Sequence, residues 1–317
     1  MKIDRRQFVA TSLAAACPVI AYAQTPRPDI AAITRAMTRG RFATYNPTLL
    51  VAPNGTMVSD QESVRADMLV LRPYFDGLVM YNSIGGNDRV PDLAAREFGI
   101  RSVIAGVWDI NSQSEIQGAI NAWKRNPDLV IGLVLGNEVV SGKRGSWADL
   151  ARALDSVRAQ APGLPLSTTE SFSQFLDNAD ARPVMTRMDF MTVNIHPTLE
   201  SWFKGAPASK SADFVVSTVD RLAAIYPGPI LVQETGEPSG PVEAGFDEDK
   251  QAEFYRMLEQ RFPPSDKRAF SYFSAIDALS RTEGSTPGLR ADEPHWGVIT
   301  SDWHPKKIIA GMSPSPG

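Results

Sequence analysis

One pattern constrains this chain more than any other: short, branched, apolar runs alternate with helical stretches, and two of those runs stop abruptly on a carboxylate. The clearest run is Leu129 to Leu135, LVIGLVL, which ends in Gly136-Asn137-Glu138. A run this short and this rich in branched residues suits a strand buried on both faces. A second run of the same form, Pro229 to Gly236, reads PILVQETG and ends at Glu234. An amide and a carboxylate at the tip of a buried strand are expensive unless they have partners or a task.

Read in order, the chain repeats this unit. Strands are expected at residues 41–47, 76–83, 102–109, 129–139, 164–171, 189–197, 229–236 and 268–277. Helical stripes fall between them. Ser59 and Glu62 read as a capping box before Val64, Met68 and Leu71, and a short helix follows near Pro91 to Phe98. Ser112 and Glu115 cap a face of Ile116, Ala119, Ile120 and Trp123. Ser146 opens a helix with Leu150, Leu154 and Val157 on one side. Later stripes are Val215, Val219, Leu222 with Tyr226, and Tyr255, Leu258 with Phe262. Strands alternating with helices imply parallel pairing through crossovers, and eight units close into an α/β fold of the (β/α)8 TIM barrel type. An open doubly wound sheet is the competitor, but no glycine-rich phosphate loop follows the first strand.

Composition narrows the function. The 317 residues carry 32 Lys+Arg against 36 Asp+Glu, a formal net charge of -4, and no basic stripe interleaved with aromatics, so a nucleic-acid partner is not expected. With 3 His and no H-E-x-x-H helix, no metal or other cofactor is expected. No G-x-S-x-G elbow follows any strand, which weakens a serine hydrolase reading.

Residues 1–23 read as a targeting segment outside the fold. Arg5-Arg6 with Phe8 forms a twin-arginine pattern, a moderately apolar stretch follows, and Ala21-Tyr22-Ala23 is a small-x-small cleavage site. Pro18 breaks the apolar stretch, so no stable membrane insertion is expected. The expected destination is periplasmic or secreted, reached by twin-arginine export from a bacterial cytoplasm. Cys17, the single cysteine, follows Ala14-Ala15-Ala16 in a weak likeness of a lipoprotein acceptor site. Residues 24–312 are then one barrel domain, expected to be a monomer, and 313–317 a disordered tail.

In a barrel the site is built at the C-terminal ends of the strands. Glu138 and Glu234 at two such tips are the equipment for glycosidic bond cleavage. Around them the same reading gathers Tyr45, Tyr81, Trp108, Asn137, Glu170, Asn194, His196 and Asp277 as sugar-contacting candidates, since aromatic rims stack on sugar faces.

At these residues the chain resembles glycoside hydrolase family 17, the β-1,3-glucanase family. The motifs are GNEVV at Gly136 to Val140, VNIHP at Val193 to Pro197, VQETGEPSG at Val232 to Gly240 and EPHWGVITSDWHPK at Glu293 to Lys306. The resemblance implies a retaining glycosidase or glucanosyltransferase acting on a β-glucan or gluco-oligosaccharide, with Glu138 as acid/base, Glu234 as nucleophile and Asn137 on the sugar 2-hydroxyl. It adds Glu237 and Trp296 to the substrate-binding set. Glu237 stands where the family usually has tryptophan, and Asp277 is followed by Ala278-Leu279-Ser280-Arg281 where bacterial members often have Glu-Pro-Trp-Lys. Both departures remove an aromatic from the expected cleft and imply an altered linkage or chain-length preference. The alternative function is a non-catalytic periplasmic oligosaccharide-binding barrel.

Overall fold

The computed structural model describes residues 27–48, 50–51, 58–278 and 290–312. The targeting segment with Cys17, the expected turn at Pro53-Asn54-Gly55, residues 279–281 and the tail at 313–317 lie outside the described residues.

Eight parallel strands close a barrel: β1 (Phe42–Tyr45), β2 (Gly77–Met80), β3 (Ser102–Val107), β4 (Val130–Asn137), β5 (Leu166–Ser171), β6 (Met191–Asn194), β7 (Ile230–Thr235) and β8 (Arg268–Tyr272). Each strand pairs with its sequence neighbours, and β1 pairs with both β2 and β8. Each expected strand is present, trimmed at its ends. An antiparallel two-residue pair, Leu50–Val51 with Val58–Ser59, was not expected from the sequence.

The helices are α1 (Ala31–Arg39), α2 (Gln61–Leu71), α3 (Val90–Phe98), α4 (Gln113–Arg125), α5 (Trp147–Gln160), α6 (Phe172–Asp177), α7 (Arg182–Met185), α8 (Ala208–Ala223), α9 (Glu248–Arg261) and α10 (Lys307–Ala310). Their apolar stripes pack on the outer faces of the strands. Met68 and Leu71 of α2, Leu150 and Leu154 of α5, and Val215 and Leu222 of α8 are all fully buried in that layer. Each such side chain contributes on the order of 1.5–3 kcal/mol through burial. None of the helices among the described residues is long and apolar enough to cross a membrane.

Helix α1 has a different task. It carries Ile33 and Met37 into a separate cluster with Phe42, Val79, Ile104, Val134 and Phe190, and so closes the N-terminal end of the barrel. A Cβ on Gly132 would stand 2.9 Å from the Phe190 ring and 3.4 Å from Ile33, so the glycine inside the β4 run makes room for this plug.

Two expected capping boxes are drawn differently. The α2 cap is Asp60, whose side chain accepts from the Ser63 amide, while Ser59 is taken up by the short strand pair. Ser112 does cap α4, but Glu115 turns away from the cap and accepts from the Trp108 and Asp109 amides at 2.7 and 3.1 Å. That contact fastens the helix to the end of β3. Ser146 with Asp149 forms the complete reciprocal box, at the start of α5.

The strands that bear the two carboxylates are irregular at their tips. Between β4 and β5, Val134 pairs with Ser167 but Asn137 pairs with Thr169, so β4 uses one residue more than its neighbour. Strand β7 does the same against both sides: Val193 faces Val232 while Asn194 faces Glu234, and Phe270 faces Val232 while Tyr272 faces Thr235. An extra residue breaks the strict alternation of side chains and re-aims those near the end. This is how Gln233 and Glu234, adjacent in sequence, both reach the interior network described below.

Glu237, expected in the sugar cleft, lies elsewhere. Its backbone N–H and C=O are both 3.3 Å from the Tyr272 hydroxyl, and its carboxyl feels the charges of Lys250, Asp247 and Glu253 at the start of α9. The turn after β7 carries this side chain toward the start of α9. Burial raises its pKa to about 8. The folded protein therefore holds a proton that the unfolded chain releases near its ordinary value, and stability falls as pH rises from about 4.5 through about 8. Glu237→Gln should remove this dependence. Its urea midpoint should match the parent near pH 4.5 and exceed it at pH 8, and equal midpoints at both pH values would refute the assignment.

Candidate active site

The site begins with the backbone at the end of β4. Gly136 and Glu138 both take left-handed conformations, with φ of 78° and 53°. A Cβ at position 136 would stand 2.5 Å from the Val139 side chain, so glycine is required there. Glu138 adopts its φ despite a full side chain, a strain of order 1–3 kcal/mol that the surroundings must hold. They do so through Glu138 N–H to the Thr169 carbonyl at 2.8 Å and Gly142 N–H to the Glu138 carbonyl at 2.9 Å.

Glu170 completes this support. It was expected to touch substrate, but it is fully buried. Its carboxylate accepts from Val140 N–H at 2.7 Å, Ser141 N–H at 3.1 Å and the Ser141 hydroxyl at 2.9 Å. Its oxygens are spent on the loop that carries Glu138, so its role is to position that loop.

Glu138 and Glu234 are joined through two amides. Asn194 Nδ2 donates to Glu138 Oε1 and to Asn137 Oδ1, each at 3.2 Å. Asn137 Nδ2 donates to Glu234 Oε1 at 3.2 Å. His196 Nε2 lies 3.1 Å from Glu234 Oε2, and its ring meets Phe273 and Trp296 edge-on, each at 5.4 Å between centroids. Burial raises the Glu138 pKa, and the negative charge of Glu234 raises it further, against the opposing pull of Asn194 and His196. The arrangement therefore holds one carboxyl toward its protonated form and supplies the other with hydrogen-bond donors.

The pair lines a chamber of about 230 Å³ with Tyr81, Trp108, Asn137, His196, Leu199 and Trp296 among its walls. A larger chamber of about 430 Å³ adjoins it, sharing Tyr81, Phe273, Glu293 and Trp296 and extending past Thr44, Asn46 and Asp277. Trp108 is 44% exposed and has the Arg144 guanidinium 4.2 Å from its ring centroid. Arg144 also bonds the Trp108 and Asn137 carbonyls, which ties the rim to the end of β4.

Of the residues read from the sequence, Tyr81, Trp108, Asn137, Asn194, His196 and Trp296 gather around the carboxylate pair. Asp277 lies in the larger chamber, and its Oδ1 is held by Lys306 Nζ at 2.7 Å and Gly297 N–H at 2.8 Å. Tyr45 does not reach the cleft: it is 1% exposed and its hydroxyl donates to Asp67 Oδ2 at 2.7 Å. Asp67 also accepts from Thr48 and from Trp303 Nε1, so this is an anchor for the β1 and C-terminal loops. Arg144, Leu199, Phe273, Arg290 and Glu293 escaped the sequence reading. Arg144, Leu199 and Arg290 lie outside the strands, where neither period nor strand position marks them; Phe273 directly follows β8 within the expected strand, and Glu293 opens the EPHWG motif without having been read as a site residue. Among the described residues no group of three or more His, Cys, Asp or Glu is placed to hold a metal ion.

Comparison with known proteins identifies relatives of this chain. A glucan 1,3-beta-glucosidase of Arthroderma benhamiae is 25% identical over 228 residues, which cover 67% of this chain and 72% of that protein. The glycoside hydrolase family 17 β-1,3-glucanosyltransferase of Rhizomucor miehei superposes with a TM-score of 0.63 at 21% identity, covering 86% of this chain and 97% of that one. The barrel is also similar to that of a GH2 β-galacturonidase from Eisenbergiella tayi, with a TM-score of 0.66 at 14% identity, although the match spans only 50% of that longer chain. At such identities the two structural matches establish the fold. The BtgE/BtgC glycoside hydrolase domain profile matches residues 43–297, most of the chain. The chain thus belongs to the BtgE/BtgC glycoside hydrolase domain family, and it is a glycosidase.

Proposed function

We propose that this protein cleaves or transfers β-1,3-linked glucan by double displacement, with Glu234 as nucleophile and Glu138 as acid/base. The observation that carries the reading is the hydrogen-bonded set Glu138–Asn194–Asn137–Glu234, which gives the two carboxyls opposite environments. A retaining mechanism needs carboxyl groups roughly 5–5.5 Å apart, close enough for two negative charges to repel. The upward push of Glu234 on the Glu138 pKa fits such a pair.

In the first step the Glu234 carboxylate forms a bond to the anomeric carbon. The glycosidic C–O bond breaks as Glu138 gives its proton to the departing oxygen. In the second step ionised Glu138 takes a proton from water or from an acceptor sugar hydroxyl, whose oxygen displaces Glu234. Hydrolysis and transfer differ only in that acceptor. No cofactor is required. The β-1,3 linkage is supported by the names of the glucosidase and glucanosyltransferase relatives. The open face of Trp108 at the rim offers a stacking surface for a sugar ring.

We further propose export by the twin-arginine route to the periplasm or beyond, on the strength of Arg5-Arg6 and Ala21-Tyr22-Ala23. Replacing both arginines with lysine should leave uncleaved precursor in the cytoplasm, and unchanged export would count against this route.

The pair is tested on laminari-oligosaccharides and on activated aryl β-glucosides. Glu234→Ala should abolish turnover, and added azide should give the α-glycosyl azide. Glu138→Ala should slow poor leaving groups by about 10²–10⁴-fold and activated aryl glycosides far less, with azide giving the β-product. Near-normal activity of either variant on β-1,3-glucan would overturn the assignment.

The pH profile is a separate check. Glu138 must start protonated, and its pKa is raised, so kcat/KM should fall as pH rises through a limb lying above the ordinary glutamate range. A basic limb at or below that range would show that another group is the acid.

A further inference from the structure

The interior of the barrel beneath the site is polar on one side, which is unusual for a packed barrel core. Ser167, Thr169, Thr192 and Gln233 are at most 1% exposed, and they are hydrogen-bonded to one another. The Ser167 and Thr192 hydroxyls are 2.8 Å apart, and those of Thr192 and Thr169 are 2.6 Å apart. The Thr169 hydroxyl lies 2.8 Å from Gln233 Oε1, and Gln233 Nε2 lies 3.1 Å from Asn137 Oδ1. The last link is Asn137 Nδ2 to Glu234 Oε1 at 3.2 Å.

The direction of these bonds follows from the carboxylate. Glu234 in its ionised form only accepts, so Asn137 must present its NH₂ there and its oxygen to Gln233. Gln233 must then present its NH₂ to Asn137 and its oxygen to Thr169. A carbonyl oxygen cannot donate, so the single Thr169 hydroxyl proton goes to Gln233. The short contact with Thr192 is then donated by Thr192, for which the Thr168 carbonyl at 3.1 Å is the competing acceptor. The orientations of Asn137, Gln233 and the Thr169 hydroxyl are thereby linked, and a chain of aligned bonds polarises its members in the same sense.

We infer that Thr169 and Gln233 are positioning residues for the catalytic pair. Buried hydroxyl and amide groups inside the barrel fix the orientation of the Asn137 amide, so that its N–H is always aimed at Glu234. The inference rests on the proposed roles of Glu138 and Glu234. Without Thr169, Gln233 Oε1 loses its donor and the Gln233 amide can turn over, which leaves the Asn137 Oδ1 contact to Asn194 Nδ2 and weakens the hold on its orientation. A turned Asn137 would present oxygen to the Glu234 carboxylate, which disfavours the ionised nucleophile.

The test is Thr169→Val, which keeps shape and removes the hydroxyl, with Thr169→Ser as the conservative control and Gln233→Met breaking the chain one bond nearer the site. In Thr169→Val and Gln233→Met, kcat per folded molecule should fall about tenfold or more with KM within about twofold, since the contact acts on the reacting carboxylate and not on sugar binding. The acid limb of the pH profile should move to higher pH, and Thr169→Ser should restore both. If Thr169→Val does not fold, Gln233→Met and Thr169→Ser carry the same comparison. Parental kcat and an unmoved acid limb, with all of the loss in thermal midpoint, would overturn the inference and leave these groups a structural role only. An inactive parent would instead sink the functional reading. In that case the Asn137 side-chain amide is read directly by NMR: its hydrogens should exchange slowly in the parent and rapidly in Thr169→Val, and equal exchange would overturn the inference.

Discussion

The site depends on one side chain, the Asn137 amide, more than on either carboxylate. It donates to Glu234, accepts from both Asn194 and Gln233, and stands one residue before Glu138. A single planar group thus joins β4, β6 and β7. A planar amide with fixed donors and acceptors can satisfy those partners in only one orientation, so it sets their relative placement as well as their chemistry. The extra residues near the tips of β4 and β7 allow this convergence. With strict alternation, Gln233 and Glu234 would point to opposite faces of the sheet.

Electrostatics then distinguishes two residues of the same type. Glu138 is half-buried beside a like charge, and both effects favour its protonated form. Glu234 is met by an amide N–H and an imidazole, which suit a carboxylate. The strain in the Glu138 backbone is held by Thr169 and by the loop that Glu170 clamps. The three carboxyl groups therefore sit in different environments: Glu138 is pushed toward its protonated form, Glu234 accepts from site donors, and Glu170 holds a loop.

The barrel places the polar groups where such a division is possible. Its lower end is sealed by α1 and an apolar cluster around Phe42 and Phe190. Its outer face is covered by helices whose apolar stripes follow the helical period. The upper interior between β4 and β7 holds a connected set of hydroxyl and amide side chains, and each of the groups in the chain from Ser167 to Asn137 has a partner. Polar groups buried at this depth are tolerable because they satisfy one another.

The sequence by itself determined the strands, the helices between them and the two carboxylates at strand tips. Those depend on local periodicity, and a run such as LVIGLVL or a stripe such as Leu150, Leu154 and Val157 carries its own period. The fold class followed from the count and alternation of elements, and the resemblance pointed to GNEVV and VQETG as the motifs expected to carry the catalytic pair. Distances between side chains on different strands have no such local signature. The bulges in β4 and β7 depend on register with neighbouring strands. The Glu170 clamp, the retirement of Tyr45 to Asp67 and the turning of Glu237 toward α9 depend on loop paths. Whether a polar residue at a strand end faces substrate or spends its oxygens on a backbone is decided by what packs beside it, and that is fixed only when the barrel closes.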